Sequence, residues 1–299
     1  MKGKKGRNTR AMTVAVAVLA IAVGVARTCR KPKPVRENFA PPQRAGFSWP
    51  VGVKAAVSIT FDHAAPSQLD RGLPILDQHG LKASFYLDIP EAKKRLADWR
   101  KAVGVGHEIG NHTLNHPCSG DYSFERKRGE KDALEDVTPE WVEKDFLAAN
   151  EELKRMFGSE PKTFSYPCGE MFTGRGEETR SYVPLVARHF IAGRGFGMDF
   201  SNNPADCDLA KVNALAADGF SYKAFLKAIE RAEASGDWVI FCGHGVGVKG
   251  GYPSISDLEL EKLCAWLDEH RKEVWTGTVA EIAEYIDKAR RGGNNRGRQ

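Results

Sequence analysis

The strongest constraint on this 299-residue chain is an alternation of short apolar runs with segments of helical spacing, sustained from residue 55 to residue 291. AAVSITF at 55–61 is apolar and β-branched, which predicts a buried strand ending at Asp62. Residues 67–79 then carry Leu69, Leu73, Ile75 and Leu76 at helical spacing, and Gly80 supplies the stop. KASFYLD at 82–88 predicts a second strand, 91–103 a helix, and HEIG at 107–110 a third strand. Thr138-Pro139 opens a helix running to about Phe157, because threonine caps the first turn and proline needs no hydrogen bond there. KTFSYP at 162–167, DWVIFCGHG at 237–245 and EVWTGT at 273–278 predict further strands, and 220–236, 256–270 and 279–291 further helices. Parallel strands need a long crossover, which a helix provides, so the alternation argues for an α/β fold. Its sheet is expected to be parallel and closed, or nearly closed, into a barrel.

The two ends have a different composition. The formal net charge of +5 comes entirely from them: MKGKKGRNTR holds five basic residues and RRGGNNRGR four. The body is therefore slightly acidic, which argues against a nucleic-acid partner, since that needs a basic face on the folded domain. Residues 11–26, AMTVAVAVLAIAVGVA, form an apolar run bracketed by basic residues. Residues 1–29 thus read as a signal peptide or an N-terminal membrane anchor, with the body exported and any membrane contact confined to this segment. Residues 30–50 read as a linker, 51–290 as a single catalytic domain, and 291–299 as a basic disordered tail. Export permits disulfides among the six cysteines, yet their spacing is no dense framework. Cys118 and Cys168 flank suspected site residues, which leaves a bridge or a soft lining equally open. Oligomeric state is not legible.

The residues that carry chemistry share one position. Asp62, the pair His112 and His116, the turn Pro167-Cys168-Gly169 and His244 all follow strand C-termini. In a (β/α) barrel those ends form one rim, where active sites sit, so four clusters distant in sequence are expected to converge. His112 and His116 stand four apart, a spacing that places two imidazoles on one face of a helical turn. With His63 as third ligand they would hold a divalent metal, leaving Asp62 free as general base. His244, between two glycines that expose its ring, suits a general acid. The Cys168 backbone N–H would be left unpaired as an oxyanion donor. Other hydrolase and cofactor motifs fail: His107-Glu108 is out of register for HExxH, GRGFG at 193–197 lacks dinucleotide spacing, and no GxSxG occurs.

With FDH at 61–63, HTLNH at 112–116 in its GHEIGNH setting, SYPCG at 165–169 and FCGHG at 241–245, the chain from about 51 to 290 resembles the polysaccharide deacetylase family, carbohydrate esterase family 4. The resemblance implies an irregular (β/α)7-type barrel that removes acetyl groups from N- or O-acetylated sugars with a divalent metal, often zinc. It implies Asp62 as base, His112 and His116 as ligands, the Cys168 amide as oxyanion donor, His244 as acid, and an acetylated glycan as substrate. Three positions depart from the family pattern. His63 stands where the family has a ligand Asp, which favours nitrogen-preferring ions such as zinc. The same change leaves open a weakened, non-catalytic glycan-binding protein, beside an amidase of this fold acting on non-sugar amides. Ser165 replaces an Arg that steadies the base, with Arg175, Arg180 or Arg194 as substitutes. The family's Asp-Trp motif has no clear counterpart, Asp199 and Asp208 being the candidates.

Overall fold

The computed structural model describes residues 47–122, 132–197, 199–248 and 250–296. The expectations for an export segment, for most of the linker and for residues 297–299 lie outside the described residues. Chain contacts gather Gln43–Gln299 into one compact unit. Its main sheet holds β1 (Ala55–Asp62), β2 (Ser84–Leu87), β3 (Glu108–Asn111), β4 (Thr163–Ser165), β5 (Ala192–Arg194), β6 (Leu215–Ala216), β7 (Trp238–Gly243) and β8 (Val274–Thr276). Every pairing in it is parallel, in the order β5-β4-β3-β2-β1-β7-β6, with β8 also on β1. The connections run through α1 (Leu73–Gln78), α2 (Ile89–Lys94), α3 (Leu96–Gly104), α4 (Pro139–Phe157), α5 (Val183–His189), α6 (Tyr222–Ser235) and α7 (Asp257–Glu269), and α8 (Val279–Arg296) follows β8.

The central strand explains the shape. All eight residues of β1 are buried. Along one edge Ala56–Phe61 pair with Trp238–Gly243 of β7; along the other, Ala55–Val57 pair with β8 and Thr60–Asp62 with β2. Beyond β5, Val212 N–H donates to Gly193 O at 2.8 Å, Gly195 N–H to Val212 O at 2.8 Å and Gly197 N–H to Ala214 O at 3.1 Å. Those residues run on into β6, which pairs with β7, so hydrogen bonding carries the curled sheet back to its start. This is the nearly closed parallel barrel expected from the alternation, and it agrees with the (β/α)7-type barrel that the resemblance implies.

Side chains along β1 divide by the period of two. Val57, Ile59 and Phe61 join the apolar layer beneath the helices, with Phe85, Trp99, Phe225 and Leu263. Ser58 and Thr60 point the other way and are satisfied inside: Ser58 Oγ donates to Gly277 O at 2.9 Å and Thr60 Oγ1 to Phe241 O at 2.9 Å. Asp62 continues that second, inward series, which delivers its carboxylate to the barrel mouth. Packing there is tight. A Cβ on Gly110 would overlap the Tyr86 ring and stand 3.0 Å from Thr163 Oγ1. Tyr86 is fully buried with its hydroxyl 3.1 Å from Thr163 Oγ1, so it has no room to yield. Gly110→Ala is therefore expected to destabilise by about 1–3 kcal/mol, read as a lower urea midpoint with unchanged slope.

Candidate active site

His112 and His116 are not on a helical turn. They lie in a loop after β3, with Thr113 (φ 64°) and His116 (φ 52°) in the left-handed region. Short polar side chains take the backbone N–H groups a helix would have used. Asn111 Oδ1 accepts from Thr113 N–H at 2.7 Å and Thr113 Oγ1 from His116 N–H at 2.9 Å. The Asp145 carboxylate on α4 accepts from Leu114 N–H at 2.9 Å and Asn115 N–H at 3.2 Å. The i,i+4 spacing thus misidentified the backbone, although the two rings still meet, with centroids 4.7 Å apart.

His63 completes the cluster. It and Ala64 leave β1 with φ of 72° and 59°, and His63 N–H donates to Tyr86 O at 3.0 Å. One ligand atom each from His63, His112 and His116 lie within 4.8 Å of one another. His112 Nδ1 is 3.0 Å from the Ser165 carbonyl, which only accepts, so Nδ1 carries the proton. Nε2 of His112 is then a buried lone-pair nitrogen with no hydrogen-bond partner. Burial drives His112 well below the usual imidazole range and lowers His63 too, which keeps both neutral as ligation requires. Three imidazoles whose ligand atoms converge, one of them with an orphaned buried nitrogen, fit a nitrogen-preferring divalent ion. Cys118 and Cys168, whose sulfurs stood between bridge and lining, form a disulfide.

Asp62, 4 % exposed, sits beside this triad, its Oδ2 4.0 Å from His112 Nε2. Among the three candidate arginines, Arg194 is its partner. Ser165 and Arg194 are register neighbours on β4 and β5, so a guanidinium from the next strand fills the place Ser165 leaves. Arg194 Nη2 donates to both Asp62 Oδ1 and Ser165 Oγ, Nη1 donates to Gly195 O at 3.1 Å, and the group lies 5.0 Å from the Tyr86 ring centroid. Arg175 instead pairs with Asp136, and Arg180 Nη1 donates to the carbonyls of Glu177 and Thr179. Burial works to raise the Asp62 pKa, but Arg194 first, then the histidines, outweigh it and hold the carboxyl well below its usual range. It is a carboxylate.

His244 follows β7 by one residue, and the β1–β7 register sets it level with Asp62. Gln68 Nε2 donates to Asp62 O at 2.6 Å and His244 O at 2.5 Å, clamping both strand ends. The flanking glycines serve packing rather than exposure: a Cβ on Gly243 would stand 2.7 Å from Ile255 Cδ1, one on Gly245 3.0 Å from Val248 Cγ2. Asp218 accepts from both His244 N–H, at 3.0 Å, and the ring nitrogen Nδ1. Burial works against a charged imidazole here, yet the Asp218 hydrogen bond and nearby carboxylates raise the His244 pKa. Asp218 was missed in the sequence. Neither Asp199 nor Asp208 lines the cleft, and Asp208 accepts from Ala210 N–H at 3.0 Å as a cap. The signal was there: Asp218 ends the apolar run Leu215–Ala217, as Asp62 ends β1.

At the Pro167–Gly169 turn, Cys168 has φ 55°; Gly169 N–H donates to Tyr166 O and Glu170 N–H to Pro167 O, and the Cys168 amide takes part in neither bond. All six residues singled out in the sequence (Asp62, His63, His112, His116, Cys168 and His244) line one cleft of about 1010 Å³, which Tyr122, Tyr166, Phe196 and Tyr252 also line.

Residues 51–182 match the model of the polysaccharide deacetylase family. The chain is 32 % identical over 130 residues to a peptidoglycan-N-acetylglucosamine deacetylase of Bacillus cereus, covering 42 % of this chain and 40 % of that protein. It is 24 % identical over 263 residues to a gellan lyase of a Bacillus species, covering 79 % of this chain and 10 % of that protein. The chain thus spans less than half the length of the curated relatives it matches. Its fold is similar to that of a putative polysaccharide deacetylase from Mycobacterium smegmatis, with a TM-score of 0.58 and 17 % identity over 81 % of this chain and 93 % of that one. Residues 51–182 thus match the polysaccharide deacetylase family model, on a barrel whose mouth gathers the residues the motifs pick out.

Proposed function

We propose that this chain is an exported, metal-dependent hydrolase that removes acetyl groups from an N- or O-acetylated polysaccharide. One observation carries the reading: His63, His112 and His116 converge within 4.8 Å beside the buried Asp62–Arg194 pair, in a cleft that His244 also lines. The name of the Bacillus cereus relative favours a cell-envelope glycan of amino sugars. Cleft size agrees, since about 1010 Å³ is at the top of the ~300–1,000 Å³ typical of small-ligand pockets and has room for a polymer segment. The apolar run at 11–26 supports export.

The histidine triad would hold the ion, zinc by its donor set, which supplies Lewis acidity toward water and the acetyl carbonyl. The chain's own residues do the rest. Asp62, kept ionised and aimed by Arg194, takes a proton from the attacking water. The Cys168 N–H donates to the carbonyl oxygen as negative charge builds on it. His244, a cleft residue whose Nδ1 is held by Asp218, gives a proton from its second nitrogen to the departing nitrogen or oxygen. The test is acetate release from chitin oligomers, peptidoglycan and acetylated xylan before and after chelation. Release from at least one glycan, lost on chelation and regained with zinc, is the expected result. Turnover of non-sugar amides alone would favour an amidase of this fold.

A further inference from the structure

We propose that reducing the Cys118–Cys168 disulfide creates a second metal site, in which both sulfurs and His116 hold a zinc-class ion. The ligand atoms of His116, Cys118 and Cys168 lie within 4.8 Å of one another, and His116 Nδ1 is 3.6 Å from Cys118 Sγ. Backbone bonds independent of the bridge fix both cysteines. Leu134 N–H donates to Cys118 O at 3.0 Å, and Gly169 N–H to Tyr166 O at 2.9 Å holds the turn around Cys168. Their Cα atoms, 5.9 Å apart, therefore stay close once the bond is cut. Cys168 lines the cleft and is half-buried, so a small dithiol can reach its sulfur, whereas Cys118 is fully buried.

In the exchange a reductant thiolate attacks Cys168 Sγ and the Sγ–Sγ bond breaks, with Cys118 leaving as thiolate. The reductant's second thiol displaces Cys168, so the dithiol ends as a disulfide and the protein holds two thiols. Metal uptake releases their two protons. Charge then decides between the two sites. Two thiolates cancel the charge of a divalent ion, while three imidazoles cancel none of it, and zinc accepts sulfur readily. His116 belongs to both sets, so metal drawn to the sulfurs leaves the three-histidine site one ligand short. The proposal needs only this geometry and does not rest on the hydrolase reading.

The experiment uses the whole chain, stripped of metal and titrated with cobalt(II), either oxidised or reduced with a phosphine that brings no thiol of its own. Reduced protein is expected to gain a near-ultraviolet thiolate-to-cobalt band that oxidised protein lacks. Cys118→Ser/Cys168→Ser should lose the band while keeping free Cys207, Cys242 and Cys264. His116→Ala, with its disulfide intact until reduction, should show a weaker band at the same cobalt concentration. Identical spectra for oxidised and reduced wild type, or a band that survives in the double serine variant, would overturn the proposal.

Discussion

Arg194→Ala is expected to lower the stability of the metal-free protein by about 3–5 kcal/mol, the range for removing one partner of a buried ion pair. The cause is the charge left behind. Asp62 is 4 % exposed, Arg194 is fully buried, and the pair's guanidinium is also the donor to Ser165. The pH dependence has a definite sign. Because the folded-state pKa of Asp62 is held below its ordinary 3.8, the pair's contribution is fully present above about that pH and fades as pH falls below it. Denaturation of wild type and variant should therefore differ most at neutral pH and converge in acid. Arg194→Lys should recover only part of the loss, since an ammonium lacks the planar fork that spans Asp62 and Gly195. The double change Ser165→Arg/Arg194→Ser, which returns the guanidinium to the neighbouring strand, should restore more stability than either single change permits. Equal stability of Arg194→Ala and wild type at neutral pH would show that the pair is not formed.

His244→Ala is expected to reduce kcat by ~10²–10⁴, the usual contribution of a positioned acid, with bound metal unchanged. Loss of metal would instead show His244 to be a ligand. Asp218 gives the finer test. Its hydrogen bond raises the His244 pKa against burial, so the protonated imidazole persists to higher pH than an isolated one. An acid is lost as pH rises through its pKa, which puts His244 on the alkaline limb of the rate profile. Asp218→Asn should move that limb toward lower pH and leave the limb on the acid side in place. An unmoved alkaline limb would remove Asp218 from the positioning role.

Much of this was legible in the sequence because a parallel sheet forces a pattern on it. A buried eight-residue strand such as Ala55–Asp62 needs apolar and β-branched residues, and its C-terminal end is where polar chemistry begins. That logic brought Asp62, His63, the histidine pair, Cys168 and His244 to one mouth. It failed where the backbone departs from regular elements. The 112–116 loop has helical spacing but is built on Asn111, Thr113 and Asp145 side chains, a long-range arrangement that periodicity does not encode. Choosing Arg194 over Arg175 and Arg180 required strand register, since only the pairing of Ser165 with Arg194 places that guanidinium beside Asp62. Asp218 lies two residues beyond the two-residue strand Leu215–Ala216, which is too short for any period to mark, so the end of an apolar run was its one signal.

The proposed role of the three-histidine cluster is to hold a metal that works. Metal content and acetate release, measured on the same preparations of wild type and His63→Ala, test it most directly. Wild type should bind a single divalent ion per chain and release acetate from a glycan, and His63→Ala should lose both. Metal-loaded wild type that releases no acetate, while His63→Asp does, would contradict it and leave a glycan-binding protein disabled at position 63.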